Sequence, residues 1–292
     1  PLYRRLTRAI RDVDARHMII LEGAHWATDF SVFDDYTPEE AADNIVLEFH
    51  KYWSDPDEES LAPFVETAKR LNVPLWMGEN NLQWYTYAFP MYERLGIGWC
   101  FWAYKKMEVP NSPATFEKPE GWDQITAYLD GGERPAPEAA QAIFDRFLNC
   151  ISHGEYHPEI IRALTRRPPL EIPAGAYDAE DIQSGRRAGS VFRRTSKATL
   201  LFADGHTGEA DWRRYGGEAQ PEDQRILLRL SEGDLVGYRL ENPENQKIRI
   251  HVRSYGDGIL DVQDLTAGQG LVWVSCSSGI INVENLHITI EE

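Results

Sequence analysis

The first half of the chain alternates between stretches with apolar residues at helical spacing and short runs that are apolar at nearly every position. The opening stretch is of the first kind, because Leu6, Ile10 and Val13 fall on one helical face. Helices are predicted at residues 3–14, after Thr37 as N-cap, and at 55–71, 85–95 and 137–151. The apolar runs predict strands at residues 17–23, 44–52, 72–79 and 97–105. Such strands, alternating with helices, are typical of a parallel sheet covered by helices.

The pattern changes after Arg166-Arg167-Pro168-Pro169, a charged and Pro-rich segment typical of a domain boundary. From Ile172 onward the helical spacing gives way to short alternating runs separated by Gly, Asn, Asp and Ser. These runs predict strands at residues 198–202, 224–230, 235–240, 247–252, 259–262, 271–276 and 286–290. We therefore predict an α/β domain at residues 1–168 and an all-β sandwich at residues 169–292.

Polar and aromatic side chains stand at the carboxyl ends of the predicted parallel strands. His50 and Tyr52 share one face of the second strand, Glu79 ends the third, Trp102 ends the fourth and Trp26 follows the first. In α/β barrels chemistry occurs at this end of the sheet. Carboxylates do the acid/base and nucleophilic work of sugar hydrolysis, while flat aromatic rings hold sugar rings.

Each of these residues also has a plain structural reading. Glu79 is then a surface carboxylate, His50 a satisfied core histidine and Trp102 a core residue. Their joint placement at successive strand ends favours the functional reading.

The net charge bears on the class of partner, and the cysteine count bears on disulfide bonding. The net charge of −17 argues against nucleic acid or an anionic membrane and suits a neutral substrate. The sequence has no run of about 18 apolar residues, so no transmembrane helix is predicted. The three cysteines, Cys100, Cys150 and Cys276, are too few and too scattered for a disulfide framework. We expect buried thiols, and a single disulfide bridge stays as the alternative.

Residues 1 to about 150 resemble the C-terminal half of a glycoside hydrolase family 5 catalytic domain, the cellulase-type (β/α)8 TIM barrel. The segments that carry the resemblance are Ala9-Ile10-Arg11, His17-Met18-Ile19-Ile20-Leu21-Glu22-Gly23, His50-Lys51-Tyr52, Pro74-Leu75-Trp76-Met77-Gly78-Glu79 and Gly98-Trp99-Cys100-Phe101-Trp102. Their order and spacing fit strands five to eight of that barrel, so the resemblance implies a partial barrel.

The resemblance implies roles for the residues at the strand ends. Glu79 matches the catalytic nucleophile, His50 and Tyr52 match the residues that position it, and Trp102 matches a sugar-stacking residue. Trp26 and Trp84 are expected to add stacking. The implied protein is a secreted, monomeric, retaining hydrolase of β-linked glucan, of endoglucanase type. It acts on a polysaccharide or oligosaccharide and needs no cofactor for catalysis.

One departure from the family is expected to matter. The acid/base glutamate of the family ends strand four in an Asn-Glu pair, and strand four would lie before Pro1. Glu22 also ends a strand, but it resembles the ordinary acidic residue of strand five. We therefore expect one of the two catalytic carboxylates here and expect the chain to be incomplete. The alternative is a non-catalytic carbohydrate-binding protein that keeps the aromatic rim.

Residues 172–292 resemble, more loosely, a carbohydrate-binding module of the family 6/35 type. The segments concerned are Ile172-Pro173-Ala174, Tyr177-Asp178-Ala179-Glu180-Asp181, Gly233-Asp234-Leu235-Val236-Gly237-Tyr238 and Asn282-Val283-Glu284-Asn285-Leu286. The resemblance implies a structural calcium held with the help of Glu180 and Glu284. Trp212 and Tyr215 are the candidates for sugar stacking. Sugar binding and a purely structural role both stay open.

Overall fold

The structure is a computed structural model, which describes residues 2–42, 44–52, 54–80, 85–109, 112–185, 189–211, 222–263 and 268–291. It divides into two compact units. The first unit contains Pro1–Trp102 and Arg162–Glu292, and the second contains Ala103–Ile161. Among the described residues, no helix has both the length and the apolar character that crossing a membrane requires.

The first hundred residues form a four-stranded parallel sheet with helices between its strands. The strands are β1 (Ile19–Glu22), β2 (Ile45–His50), β3 (Leu75–Asn80) and β4 (Gly98–Phe101), hydrogen-bonded in that order. The helices are α1 (Leu2–Arg11), the single turn α2 (Ala24–Ala27), α3 (Pro38–Ala41), α4 (Ala62–Leu71) and α5 (Tyr85–Leu95). The predicted parallel sheet is confirmed. Closure into a barrel stays a prediction.

Local sequence signals set the helix boundaries. Thr37 caps α3 as predicted, because its side chain accepts a hydrogen bond from the backbone N–H of Glu40 while the Glu40 carboxylate accepts one from the N–H of Thr37. Pro38 occupies the first helical turn, where no N–H is needed. Helix α4 ends at Asn72, whose left-handed backbone (φ 55°) closes the last turn.

The two faces of the parallel sheet have different surroundings. Phe49 of β2 is fully buried and stacks on Phe64 of α4 with 4.6 Å between ring centroids, so this face carries the helices. The other face bears Glu48 and His50, the next residues in the alternation. Ile20 of the neighbouring strand β1 lies on the same face, and its side chain is 46% exposed. The polar side chains therefore lie on the sheet face that the described helices leave partly open.

The second unit is small and built from short elements. Its strands β5 (Lys105–Met107), β6 (Ala114–Phe116) and β7 (Glu155–Tyr156) form a three-stranded sheet. Helices α6 (Trp122–Leu129) and α7 (Pro137–Ser152) pack through Trp122, which stacks on Phe147 with 4.7 Å between ring centroids. Helix α8 (Pro158–Thr165) follows and crosses into the first unit.

The remaining residues form a β-rich region of two antiparallel sheets. The strands are β8 (Leu170–Pro173), β9 (Ala179–Asp181), β10 (Thr199–Phe202), β11 (Ile226–Ser231), β12 (Leu235–Asn242), β13 (Ile248–Gly256), β14 (Ile259–Gln263), β15 (Gly268–Ser278) and β16 (Ile280–Ile290). One sheet has the order β10-β11-β16-β13, with β8 also paired to β16, and the other has the order β14-β15-β12-β9. All seven predicted runs form strands. Both sheets contribute to one hydrophobic core, for example through Leu228, Tyr238 and Val283.

This core also includes a residue of the parallel-sheet region. Tyr87 of α5 belongs to the same cluster and meets Phe192 edge-on at 5.5 Å between ring centroids. Parallel sheet and β-rich region thus share apolar packing within one unit. The division of the chain at residue 168 stays a prediction. The three cysteines are free thiols, of which Cys276 is buried and Cys100 is exposed.

Candidate active site

Glu79 owes its orientation to an irregularity in strand β3. His50 pairs with Glu79 although Phe49 pairs with Met77, so β3 carries one extra residue at this point. Strict alternation would place Glu79 on the face of Met77, which is fully buried. The extra residue is a β-bulge, and bulges re-aim side chains near active sites. The Glu79 side chain retains 32% of its exposure and can therefore meet a ligand.

Tyr52 and His50 both approach the carboxylate of Glu79. The Tyr52 hydroxyl donates a hydrogen bond to Glu79 Oε2 at 3.1 Å, and His50 Nδ1 lies 3.6 Å from the same oxygen. Burial raises the pKa of Tyr52, and the negative charge of Glu79 adds to the effect. The hydroxyl therefore keeps its proton and stays a donor to the carboxylate. The structure brings together these three predicted site residues.

A second carboxylate, which sequence reasoning missed, lies on the other side of His50. Glu48 Oε1 is 3.4 Å from His50 Nε2. Burial raises the pKa of Glu48, and the charge of Glu22 contributes further. One signal was available in the sequence, since Glu48 interrupts the apolar run of β2 and lies two residues before His50.

The predicted tryptophans have exposed side chains where the structure describes them. Trp102 follows β4 and is 53% exposed, which excludes the core reading. The backbone N–H of Trp102 donates a hydrogen bond to Asn80 O at 2.9 Å. The backbone of Trp102 therefore lies beside Asn80, the residue that follows Glu79. Trp26 is 86% exposed in the turn α2, where His25, Trp26 and Ala27 all have left-handed backbone. Trp84 lies outside the described residues.

Residues 1–108 match the family model of cellulases, glycosyl hydrolase family 5. The match spans β1 to β4 and includes Glu48, His50, Tyr52 and Glu79. No curated protein matches the chain. The match supports a glycosyl hydrolase family 5 domain in this part of the chain, and with it the predicted class of glycosidase.

The chemistry available at Glu79 fits that class. Glu79 is a partly exposed carboxylate that accepts a hydrogen bond from one fixed phenol, at the carboxyl end of a parallel sheet. A carboxylate held in this way can attack an electrophilic carbon or stabilise developing positive charge. Exposed indoles beyond the strand ends can hold the apolar face of a sugar.

The two predicted calcium ligands lie beyond the part that matches the cellulase model, on different sheets. Glu180 of β9 accepts hydrogen bonds from the Ser196 hydroxyl and from the backbone N–H groups of Lys197 and Ala198. Glu284 of β16 pairs with Arg225 at 2.8 Å and accepts from the Tyr255 hydroxyl. The described residues hold no group of three or more His, Cys, Asp or Glu suited to a metal ion. Hydrogen-bond donors of the protein contact both carboxylates, and calcium binding stays an untested prediction. Trp212 and Tyr215 lie outside the described residues.

Proposed function

We propose that this protein is a retaining glycoside hydrolase of cellulase type that acts on β-linked glucan, with Glu79 as its nucleophile. The observation that carries the proposal is the hydrogen bond from Tyr52 to Glu79 Oε2 in the part of the chain that matches glycosyl hydrolase family 5. A bulged strand end, a buried histidine and exposed tryptophans at neighbouring strand ends support it.

In the proposed reaction Glu79 attacks the anomeric carbon and forms a glycosyl–enzyme intermediate. A second carboxyl group first protonates the leaving oxygen and then activates water. Tyr52 and His50 hold the nucleophile in place, while Trp102 and Trp26 stack on sugar rings. The acid/base carboxyl group is left unassigned among the residues of this chain.

The wider assignment is part of the same proposal. The parallel sheet would be strands five to eight of a (β/α)8 barrel, and residues 169–292 a β-sandwich similar to a carbohydrate-binding module. The protein would be secreted and monomeric, with a polysaccharide or oligosaccharide as its partner and no cofactor in catalysis. A structural calcium at Glu180 and Glu284 would show as a lower unfolding temperature in the presence of a chelator.

The nucleophile can be tested without relying on an acid catalyst. A 2-deoxy-2-fluoro-β-cellobioside with a dinitrophenolate leaving group needs no protonation to depart, so labelling depends on the nucleophile. We expect intact-mass spectrometry to find one fluorocellobiosyl group per chain and peptide mapping to place it on Glu79. Glu79→Gln should abolish labelling.

Glu22→Gln is the matched control, since Glu22 also ends a parallel strand and should leave labelling intact. A label on another residue, or equal labelling of Glu79→Gln, would contradict the assignment. Binding of cello-oligosaccharides without any labelling would favour the non-catalytic alternative.

A further inference from the structure

We propose that Glu48 is a positioning residue for the Glu79 site, acting through the imidazole of His50. The inference rests on the proposed function, because it concerns how Glu79 is held for attack. Glu48 itself does not touch the reacting atoms. It orients the ring that faces the nucleophile.

The imidazole of His50 lies between two carboxylates. Its Nε2 faces Glu48 Oε1 at 3.4 Å and its Nδ1 faces Glu79 Oε2 at 3.6 Å. His50 is only 8% exposed, and Nδ1 is buried without a hydrogen-bond partner among the described residues. Both separations exceed an ordinary hydrogen bond, and catalytic contacts of this kind often tighten when substrate binds. The position of the Glu48 carboxylate therefore bears on how the ring faces Glu79.

The neighbouring strand leaves space for this arrangement. Gly78 of β3 immediately precedes Glu79, and a Cβ at that position would collide with Glu48 Oε1. The side chain of Glu48 therefore crosses β3 at the one residue without a side chain. The Glu48 carboxylate thus lies against the backbone that carries the nucleophile.

The surroundings of Glu48 are mostly acidic. Burial raises the pKa of Glu48 first, followed by the charge of Glu22 on β1, and Glu79 on β3 acts in the same direction. His50 is the group that opposes them. The Cys100 thiol on β4 and the Tyr3 hydroxyl on α1 also feel the charge of Glu48. Loss of the charge on Glu48 should therefore change the electrostatic environment of the His50 ring and, through that ring, of Glu79.

Glu48→Gln is the decisive variant, because it keeps the shape and an acceptor oxygen but removes the charge. We expect labelling by the fluorocellobioside to slow roughly 10- to 100-fold and its pH profile to change, while the unfolding temperature stays near that of wild type. Glu133→Gln, which removes an exposed carboxylate, is the control and should keep the wild-type rate and pH profile.

A second measurement does not depend on activity. In full-length protein labelled with ¹⁵N-histidine, we expect the ring resonances of His50 to move in Glu48→Gln and the other histidines to keep theirs. Unchanged His50 resonances would overturn the proposal. So would a Glu48→Gln variant that labels at the wild-type rate with the wild-type pH profile. If wild type itself is not labelled, the proposed function fails and the His50 resonances alone decide the role of Glu48.

Discussion

At the scale of single residues, the hydroxyl of Tyr52 donates a hydrogen bond directly to the proposed nucleophile. Tyr52→Phe removes the 3.1 Å hydrogen bond to Glu79 Oε2 and keeps the aromatic ring. Hydrogen bonds to charged groups contribute about 1.5–3 kcal/mol, so we expect labelling of Glu79 to slow roughly 10- to 100-fold. The measurement is the second-order rate of labelling by the activated fluorocellobioside. Tyr128→Phe, on the exposed surface of α6, is the control, and equal rates in all three proteins would contradict the role of Tyr52.

The site residues differ in how far the sequence could predict them. His50, Tyr52 and Glu79 were found because the carboxyl ends of parallel strands share one edge of a sheet. The orientation of Glu79 was not predictable, since the bulge depends on how β3 pairs with its neighbours. Glu48 was missed because its sequence signal, an acidic residue in an apolar run two positions before His50, does not show which partner its carboxylate meets. Its place on the His50 face follows from alternation alone.

At the scale of secondary structure, a large residue of strand β3 packs against a small residue of the neighbouring strand β4. The Trp76 indole lies over Gly98, where a Cβ would come within 2.6 Å of the ring atom Cε3. We expect Gly98→Ala to lower the free energy of unfolding by about 1–3 kcal/mol, because the ring has to move. Urea unfolding measures the loss. In combination with Trp76→Leu the penalty should shrink, and strictly additive effects would show that the two positions do not interact.

Element lengths explain which parts of the fold were predictable. Strands β1 to β3 and helices α5 and α7 carry apolar patterns of four residues or more, and they appear close to the predicted bounds. Helix α4 begins at Ala62 rather than at residue 55, and β4 ends at Phe101 rather than at residue 105. Strands β5, β6 and β7 have only two or three residues each, which is too short for alternation to be recognised. Such strands form because their neighbours hold them in place, and that information is not local.

At the scale of the whole molecule, the predicted boundary segment does not have the surroundings of a solvated linker. Arg166 is 3% exposed, and its Nη2 donates to Ala176 O at 2.7 Å. Composition marked this segment as charged and Pro-rich, but composition cannot show whether a charged residue finds buried partners. The parallel-sheet and β-rich regions are joined by packing at Tyr87 and by polar contacts after β2.

Those polar contacts link the loop that follows Tyr52 to a loop of the β-rich region. Asp57 is 3% exposed and accepts a hydrogen bond from the backbone N–H of Arg193 at 2.9 Å. Glu59 accepts from the backbone N–H of Arg194 at 3.0 Å and from Thr195. These hydrogen bonds hold the loop after Tyr52 against the β-rich region. We therefore expect the parallel-sheet region and the β-rich region to unfold in one transition.

Glu59→Gln tests this connection and its dependence on pH. Burial raises the pKa of Glu59, but the hydrogen bonds from Thr195 and Arg194 outweigh it, and the net pKa lies below the ordinary 4.5. A lowered pKa in the folded state stabilises the protein above the unfolded value, and that stability is lost as the pH falls through the folded value. We expect the variant to unfold at a lower temperature than wild type near pH 7, and the difference to shrink in acid. Calorimetry at both pH values measures it, with exposed Glu133→Gln as control. A variant as stable as wild type near pH 7, or a difference that persists in acid, would show that the charge of Glu59 does not hold the two regions together.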